Sequence, residues 1–134
     1  MIISKTPLRI SFVGGGSDIF TYYKNGQGAV VSTAINKYIY ITVNKKFDNK
    51  IRASYSKTEI VNHVDELEHE YIRESLKKVG IRGGIEITSI SDIPSEGTGL
   101  GSSSSFLVGL LNALYACAMD DTGKIGFPVN KLLP

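Results

Sequence analysis

The stretch Pro94-Ser95-Glu96-Gly97-Thr98-Gly99-Leu100-Gly101-Ser102-Ser103-Ser104-Ser105 decides how this chain is read. Glycines at 97, 99 and 101 leave backbone N–H groups uncovered and tolerate the positive φ angles of a loop that wraps an anion. An apolar run follows at once: Phe106, Leu107, Val108, Leu110, Leu111, Ala113 and Leu114. It predicts a helix over about 102–119, apolar on almost every face and therefore buried, which holds its N-terminus rigidly. A helix that starts directly after glycines adds unpaired N–H donors and the positive end of its dipole. Serine hydroxyls in its first turn supply ligands for a phosphate oxygen or Mg²⁺. A flexible Gly/Ser linker does not run straight into a buried helix, so the pattern describes a phosphate loop. Two other phosphate motifs are excluded by spelling. No lysine follows the glycines, as a P-loop requires. Counted from Gly97, the sixth position of a dinucleotide fingerprint is Ser102, not glycine or alanine.

Upstream of the loop, residues 84–90 alternate apolar and polar and predict a strand. Before it, Leu67, Tyr71, Ile72, Leu76 and Val79 fall on one helical face. Asp65, Glu66 and Glu68 crowd the start of that segment, Lys77 and Lys78 its end, and Gly80 follows, so a helix is predicted over 66–79. Strands are predicted at 8–13, 29–34, 37–47 (with a break near Asn36), 51–56 and 58–61, and a short helix from Ser17-Asp18. Strands, a helix, a strand, then a glycine loop and a second helix make a mixed α+β layer, not a regular βαβ alternation.

A second glycine loop stands near the N-terminus: Pro7-Leu8-Arg9-Ile10-Ser11-Phe12-Val13-Gly14-Gly15-Gly16-Ser17-Asp18. A strand delivers Arg9, which suits a phosphate or an anionic transition state, and Asp18 can accept hydrogen bonds from sugar hydroxyls. Read alone, three glycines and an aspartate describe a turn. Read beside the loop at 97–105, they describe a substrate site.

The loop at 94–105 resembles the nucleotide loop of the GHMP kinases, Pro-x-x-x-Gly-Leu-Gly-Ser-Ser-x-(Ser/Ala), with Pro94, Gly99, Leu100, Gly101, Ser102, Ser103 and Ser105 in matching places and one extra residue after the proline. The resemblance covers about residues 1–118 and includes Asp92-Ile93-Pro94. It implies an N-terminal GHMP-kinase domain (ribosomal protein S5 domain 2-like), a mixed sheet with helices packed on it, over residues 1–119, with a divergent tail at 120–134. It implies ATP and Mg²⁺ as cofactors, bound through Pro94, Gly97, Gly99, Leu100, Gly101, Ser102, Ser103 and Ser104, with Ser103 as the metal ligand. Gly14-Gly15-Gly16-Ser17-Asp18 is similar to the substrate motif of the branch that acts on D-glycero-D-manno-heptose 7-phosphate and related sugars, where galactokinases have Gly-Glu-His-Thr-Asp. The resemblance therefore implies a sugar or sugar-phosphate substrate held by Gly14, Gly15, Gly16, Ser17, Asp18 and Arg9, with Arg9 also catalytic, and phosphorylation of the anomeric hydroxyl.

Family kinases are over twice this length, and their usual downstream aspartate and third glycine motif are not found here. Asp120 and Asp121 stand about 25 Å along the helix from its start and are poor substitutes for that base. The chain is thus expected to be truncated, inactive by itself, and inclined to pair with a missing C-terminal half or with itself, because Leu107, Leu110, Leu111 and Leu114 exceed what one helix and a few strands can cover. The alternative is a non-catalytic nucleotide- or sugar-binding fragment or sensor that keeps the fold.

The bulk composition is consistent with this. The 134 residues are 42% hydrophobic with a net charge of +2, and the scattered Lys and Arg give no footprint for nucleic acid. Lys45-Lys46 is read as an exposed strand end. No apolar run is long enough for a bilayer. The single cysteine, Cys117, builds no disulfide or metal site and is read as a buried small hydrophobe, which points to the cytoplasm. His63 and His69 are read as surface residues.

Overall fold

The computed structural model describes residues 1–94 and 99–119. Five strands form one sheet: β1 (Ile2–Val13), β2 (Val31–Lys45), β3 (Ile51–Ser54), β4 (Thr58–Val61) and β5 (Ile85–Ser91). The spatial order is β1-β2-β5-β3-β4. Strand β3 runs parallel to β5, and the other neighbouring pairs are antiparallel. Helices α2 (Glu70–Val79) and α3 (Ser102–Ala118) pack together, and α3 lies against β1 and β2. Period-two alternation turns Ile39, Ile41, Val43, Ile51, Ala53, Ile85 and Ile87 toward the helices. This is the mixed α+β layer that the sequence predicts.

Two expected strands are one. The sequence suggests a break near Asn36, but β2 runs through it as a bulge. Pro7 pairs with Tyr38 and Arg9 with Ala34, so three residues of β2 face the single residue Leu8. Beyond this point β5 no longer accompanies β2, and the outer ends of β1 and β2 continue as a two-stranded ribbon.

Two helix starts are also displaced. The short helix α1 spans Phe20–Tyr23, not from Ser17-Asp18, and its N-cap is Ile19. The Ser17 hydroxyl is engaged elsewhere, donating to the carbonyls of Gly14 and Ala29 at 2.8 and 3.0 Å. The segment expected to be helical from 66 holds a single 3-10 turn at Val64–Glu66, and α2 begins only at Glu70. The Glu59 carboxylate takes the N–H groups of Glu68 and His69, which keeps that backbone out of the helix. At the other end Gly80 caps α2 as the sequence indicates.

The expected shortage of cover over α3 is not observed at its central leucines. Leu110 and Leu114 are fully buried, worth about 1.5–3 kcal/mol each, and Leu107 and Leu111 are partly covered. Nor is α3 buried all round, since Ser103, Ser104, Val108, Asn112 and Ala116 face outward. Large exposed apolar side chains gather instead on the ribbon and α1: Phe12, at 70% exposure, with Val13, Ile19, Phe20, Tyr22 and Val31. Cys117 is buried as expected, and Lys45 is exposed at the end of β2.

Candidate functional site

Two hydroxyls seat α3 on β1. Ser4 donates to the Gly109 carbonyl at 2.8 Å, and Ser105 donates to the Pro7 carbonyl at 3.0 Å. The second bond lies in the first turn of α3, so the glycine loop before it is tied to the strand that carries Arg9. The Arg9 N–H donates to the Leu100 carbonyl at 3.2 Å. The Arg9 side chain then crosses Gly101, whose absent Cβ would stand 3.2 Å from Arg9 Cγ and Nε and 3.3 Å from Cζ. The Arg9 guanidinium also donates to the Ser11 hydroxyl. The fold therefore brings Arg9 together with the start of α3, two motifs over ninety residues apart in the chain.

Gly101 is the N-cap of α3 in the left-handed region, φ +68°. It offers no side-chain cap, and the first turn contains no acidic residue. Ser103 and Ser104 are exposed there. Gly99 is also left-handed, with nothing within 4 Å of its Cβ position among the described residues. These features fit a triphosphate: backbone N–H groups at the positive end of a 17-residue helix, preceded by glycines whose backbone an anion can approach. Among the described residues no cluster of three or more His, Cys, Asp or Glu forms a metal cage. A Mg²⁺ ion at this place would take serine hydroxyl and phosphate oxygens, the usual habit of this cation. Pro94 ends the segment before the loop, while Gly97 of the candidate residues, and Asp120 and Asp121, lie outside the described residues.

The loop at 14–18 is organised by its first glycine. Gly14 has φ +76°, and a Cβ there would stand 1.9 Å from the Ala29 carbonyl oxygen. Among the described residues a Cβ on Gly15 would meet nothing closer than 3.4 Å, and on Gly16 nothing closer than 4.0 Å. Gly14→Ala is therefore expected to open the turn at a cost of about 1–3 kcal/mol, read as faster amide exchange at Ser17, whose N–H donates to the Gly14 carbonyl. Gly15→Ala should leave that exchange unchanged, so any loss of binding it causes would come from ligand approach. Asp18 is exposed, and no hydrogen bond or ion pair joins it to residues 99–103 among the described residues.

A cavity of about 410 Å³ opens beside the start of α3. Ser102 and Ser103 line one part of it, and Tyr55, His69, Tyr71 and Phe106 supply aromatic wall. His69, read from the sequence as a surface residue, is half-buried here. Its ring meets Tyr55 edge-on at 4.5 Å and lies 5.3 Å from the Phe106 ring with 30° between planes. Behind this wall sits a carboxylate that sequence reasoning missed. Glu59 is only 8% exposed. It accepts the Tyr55 hydroxyl at 2.5 Å and the N–H groups of Glu68 and His69 at 2.7 and 3.3 Å. Burial pushes the Glu59 carboxyl up, but the Tyr55 hydroxyl, the two N–H donors and the Lys57 charge outweigh it and hold it below the ordinary value. Burial, with the Glu59 hydrogen bond and charge, pushes the Tyr55 phenol up to about 12. Burial holds the His69 imidazole below its ordinary value despite the opposing Glu59 charge.

Comparison with known proteins defines the class first. Residues 67–127 match the GHMP kinases N terminal domain, and the chain is similar to the N-terminal portion of proteins of that family. Its relatives include the D-glycero-alpha-D-manno-heptose 7-phosphate kinase of Campylobacter jejuni, 31% identical over 127 residues, which are 84% of this chain and 36% of that protein. A D-glycero-D-manno-heptose 1-phosphate kinase from Bacteroides thetaiotaomicron superposes with a TM-score of 0.73 at 26% identity, covering 89% of this chain and 42% of that one. A putative sugar kinase of Campylobacter jejuni gives 0.65 at 28% identity, over 85% and 38% of the two chains. The chain thus spans roughly two fifths of the length of these relatives.

Proposed function

We propose that this chain is the ATP- and sugar-binding N-terminal portion of a cytoplasmic heptose-phosphate kinase. Residues 1–119 form the family's N-terminal domain, incomplete beside its relatives, and 120–134 a divergent tail. The observation that carries the reading is the Arg9 side chain laid across Gly101 at the N-terminus of α3. It sets a fixed cation beside helix N–H donors, an arrangement suited to charge that moves between two phosphate groups. In this reading Pro94, Gly97, Gly99, Leu100, Gly101, Ser102, Ser103 and Ser104 hold the nucleotide, and Ser103 binds Mg²⁺. Gly14, Gly15, Gly16, Ser17 and Asp18 hold the sugar, with Arg9 between the two. The reaction joins the anomeric hydroxyl oxygen of a heptose 7-phosphate, or a related sugar, to the γ-phosphorus of ATP. ADP leaves, and the hydroxyl proton goes to a base in the remaining part of the family fold. Both named heptose kinases among the relatives support a heptose phosphate as substrate.

Calorimetric titration of the chain with heptose 7-phosphate tests the sugar assignment. Asp18→Asn is expected to weaken sugar binding at least tenfold, about 1.4 kcal/mol, with little change for ATP. Equal losses for both ligands would make Asp18 structural. Equal affinity for the unphosphorylated heptose would remove the sugar phosphate from the reading.

A further inference from the structure

The aromatic wall of the cavity includes an imidazole, His69, whose proton is placed by the fold. His69 is the N-cap of α2, and its Nδ1 accepts the Ile72 N–H at 3.4 Å. A neutral imidazole that accepts at Nδ1 carries its hydrogen on Nε2. No hydrogen-bond partner takes Nε2 among the described residues. The backbone of His69 is fixed independently, since its N–H is held by Glu59. Glu59 also holds the Tyr55 hydroxyl, and the Tyr55 ring packs on the imidazole. The donor is thus set by an N-cap, a buried carboxylate and two ring contacts.

We propose that His69 determines which nucleotide base this site accepts: its Nε2–H donates to an unprotonated ring nitrogen of a purine held against Tyr55, Tyr71 and Phe106. The inference rests on reading the cavity beside Ser102 and Ser103 as the nucleotide site. The surrounding rings offer planar apolar contact, which every base satisfies, so stacking alone discriminates little. A donor fixed in direction does discriminate, because a base that presents C–H in place of the ring nitrogen leaves it unpaired. Glu59 and Tyr55 act through His69 and are positioning residues.

The test compares ATP with 1-deaza-, 3-deaza- and 7-deaza-ATP, in the presence of Mg²⁺, by calorimetry on the whole chain. One of the three analogues is expected to bind at least tenfold more weakly than ATP, while the other two bind like it. The decisive variant is His69→Asn. Asparagine keeps an N-cap acceptor for Ile72 and so keeps α2, but it brings no imidazole N–H to the cavity. The analogue's penalty should disappear in this variant, with the melting temperature nearly unchanged. His69→Phe, which keeps a ring and loses the cap, should remove the penalty too, with some loss of stability. The assignment is overturned if all three analogues match ATP, or if the penalty survives in His69→Asn. ATP that binds and is lost on Gly101→Val, with no deaza penalty, defeats the His69 assignment alone. A chain that binds no ATP defeats the nucleotide-site reading and this inference with it.

Discussion

Gly101→Val is expected to abolish nucleotide binding, with a loss of at least a hundredfold in ATP affinity. Two costs combine at this position. The backbone is left-handed, φ +68°, where a β-branched residue is strained by about 1–3 kcal/mol. The new Cβ would also stand 3.2–3.3 Å from Cγ, Nε and Cζ of Arg9, and the valine methyls would press further into the same side chain. Arg9 cannot withdraw freely, because its N–H is bonded to Leu100 and its guanidinium to Ser11. The loop must then leave its cradle geometry or displace the cation. Calorimetry with ATP and Mg²⁺ measures the effect, and a circular-dichroism spectrum like that of the wild type shows that α3 is retained. Near-normal ATP affinity in a folded Gly101→Val protein would end the assignment of residues 99–104 to the phosphates.

Glu59→Ala should destabilise the fold by about 2–4 kcal/mol, because it removes the acceptor for three donors and leaves them poorly solvated behind Tyr55. For a domain of this size that corresponds to a fall in Tm of about 10 °C or more. The same carboxylate gives a pH dependence of definite sign. Its pKa is lower in the folded chain than the ordinary value of about 4.3. Its contribution to stability is therefore fully present above that ordinary value and is lost as the pH falls through the depressed folded value. Urea unfolding between neutral pH and pH 3 should show wild-type stability declining across this window, and a smaller decline in Glu59→Gln. Identical pH profiles for the two proteins would show that Glu59 is not held as an ionised acceptor. The consequences extend to the candidate site, since Glu59 fixes both Tyr55 and the His69 backbone.

The sequence by itself determined the two glycine loops, the buried character of α3 at Leu110 and Leu114, the alternation of β5, and the Gly80 stop of α2. Each is a local signal: a period, a cap, or a residue type that only one backbone conformation suits. Local signals also misled. The polar residues near Asn36 look like a strand break, yet pairing with β1 carries β2 through them as a bulge. Acidic residues at 65–68 look like the first turn of a helix, yet Glu59 captures the N–H groups of Glu68 and His69, so α2 starts later. In Thr58-Glu59-Ile60-Val61 hydropathy would turn Ile60 inward. The pairing of Ala53 with Glu59 puts the carboxylate inside and leaves Ile60 on the open face. Register is a property of two strands and the hairpin joining them, so neither strand's sequence contains it. The placement of Arg9 over Gly101 and of His69 against Phe106 is likewise tertiary. These contacts join residues far apart in the chain, and the packing of α3 on β1 and α2, not any spacing in the sequence, brings them within reach.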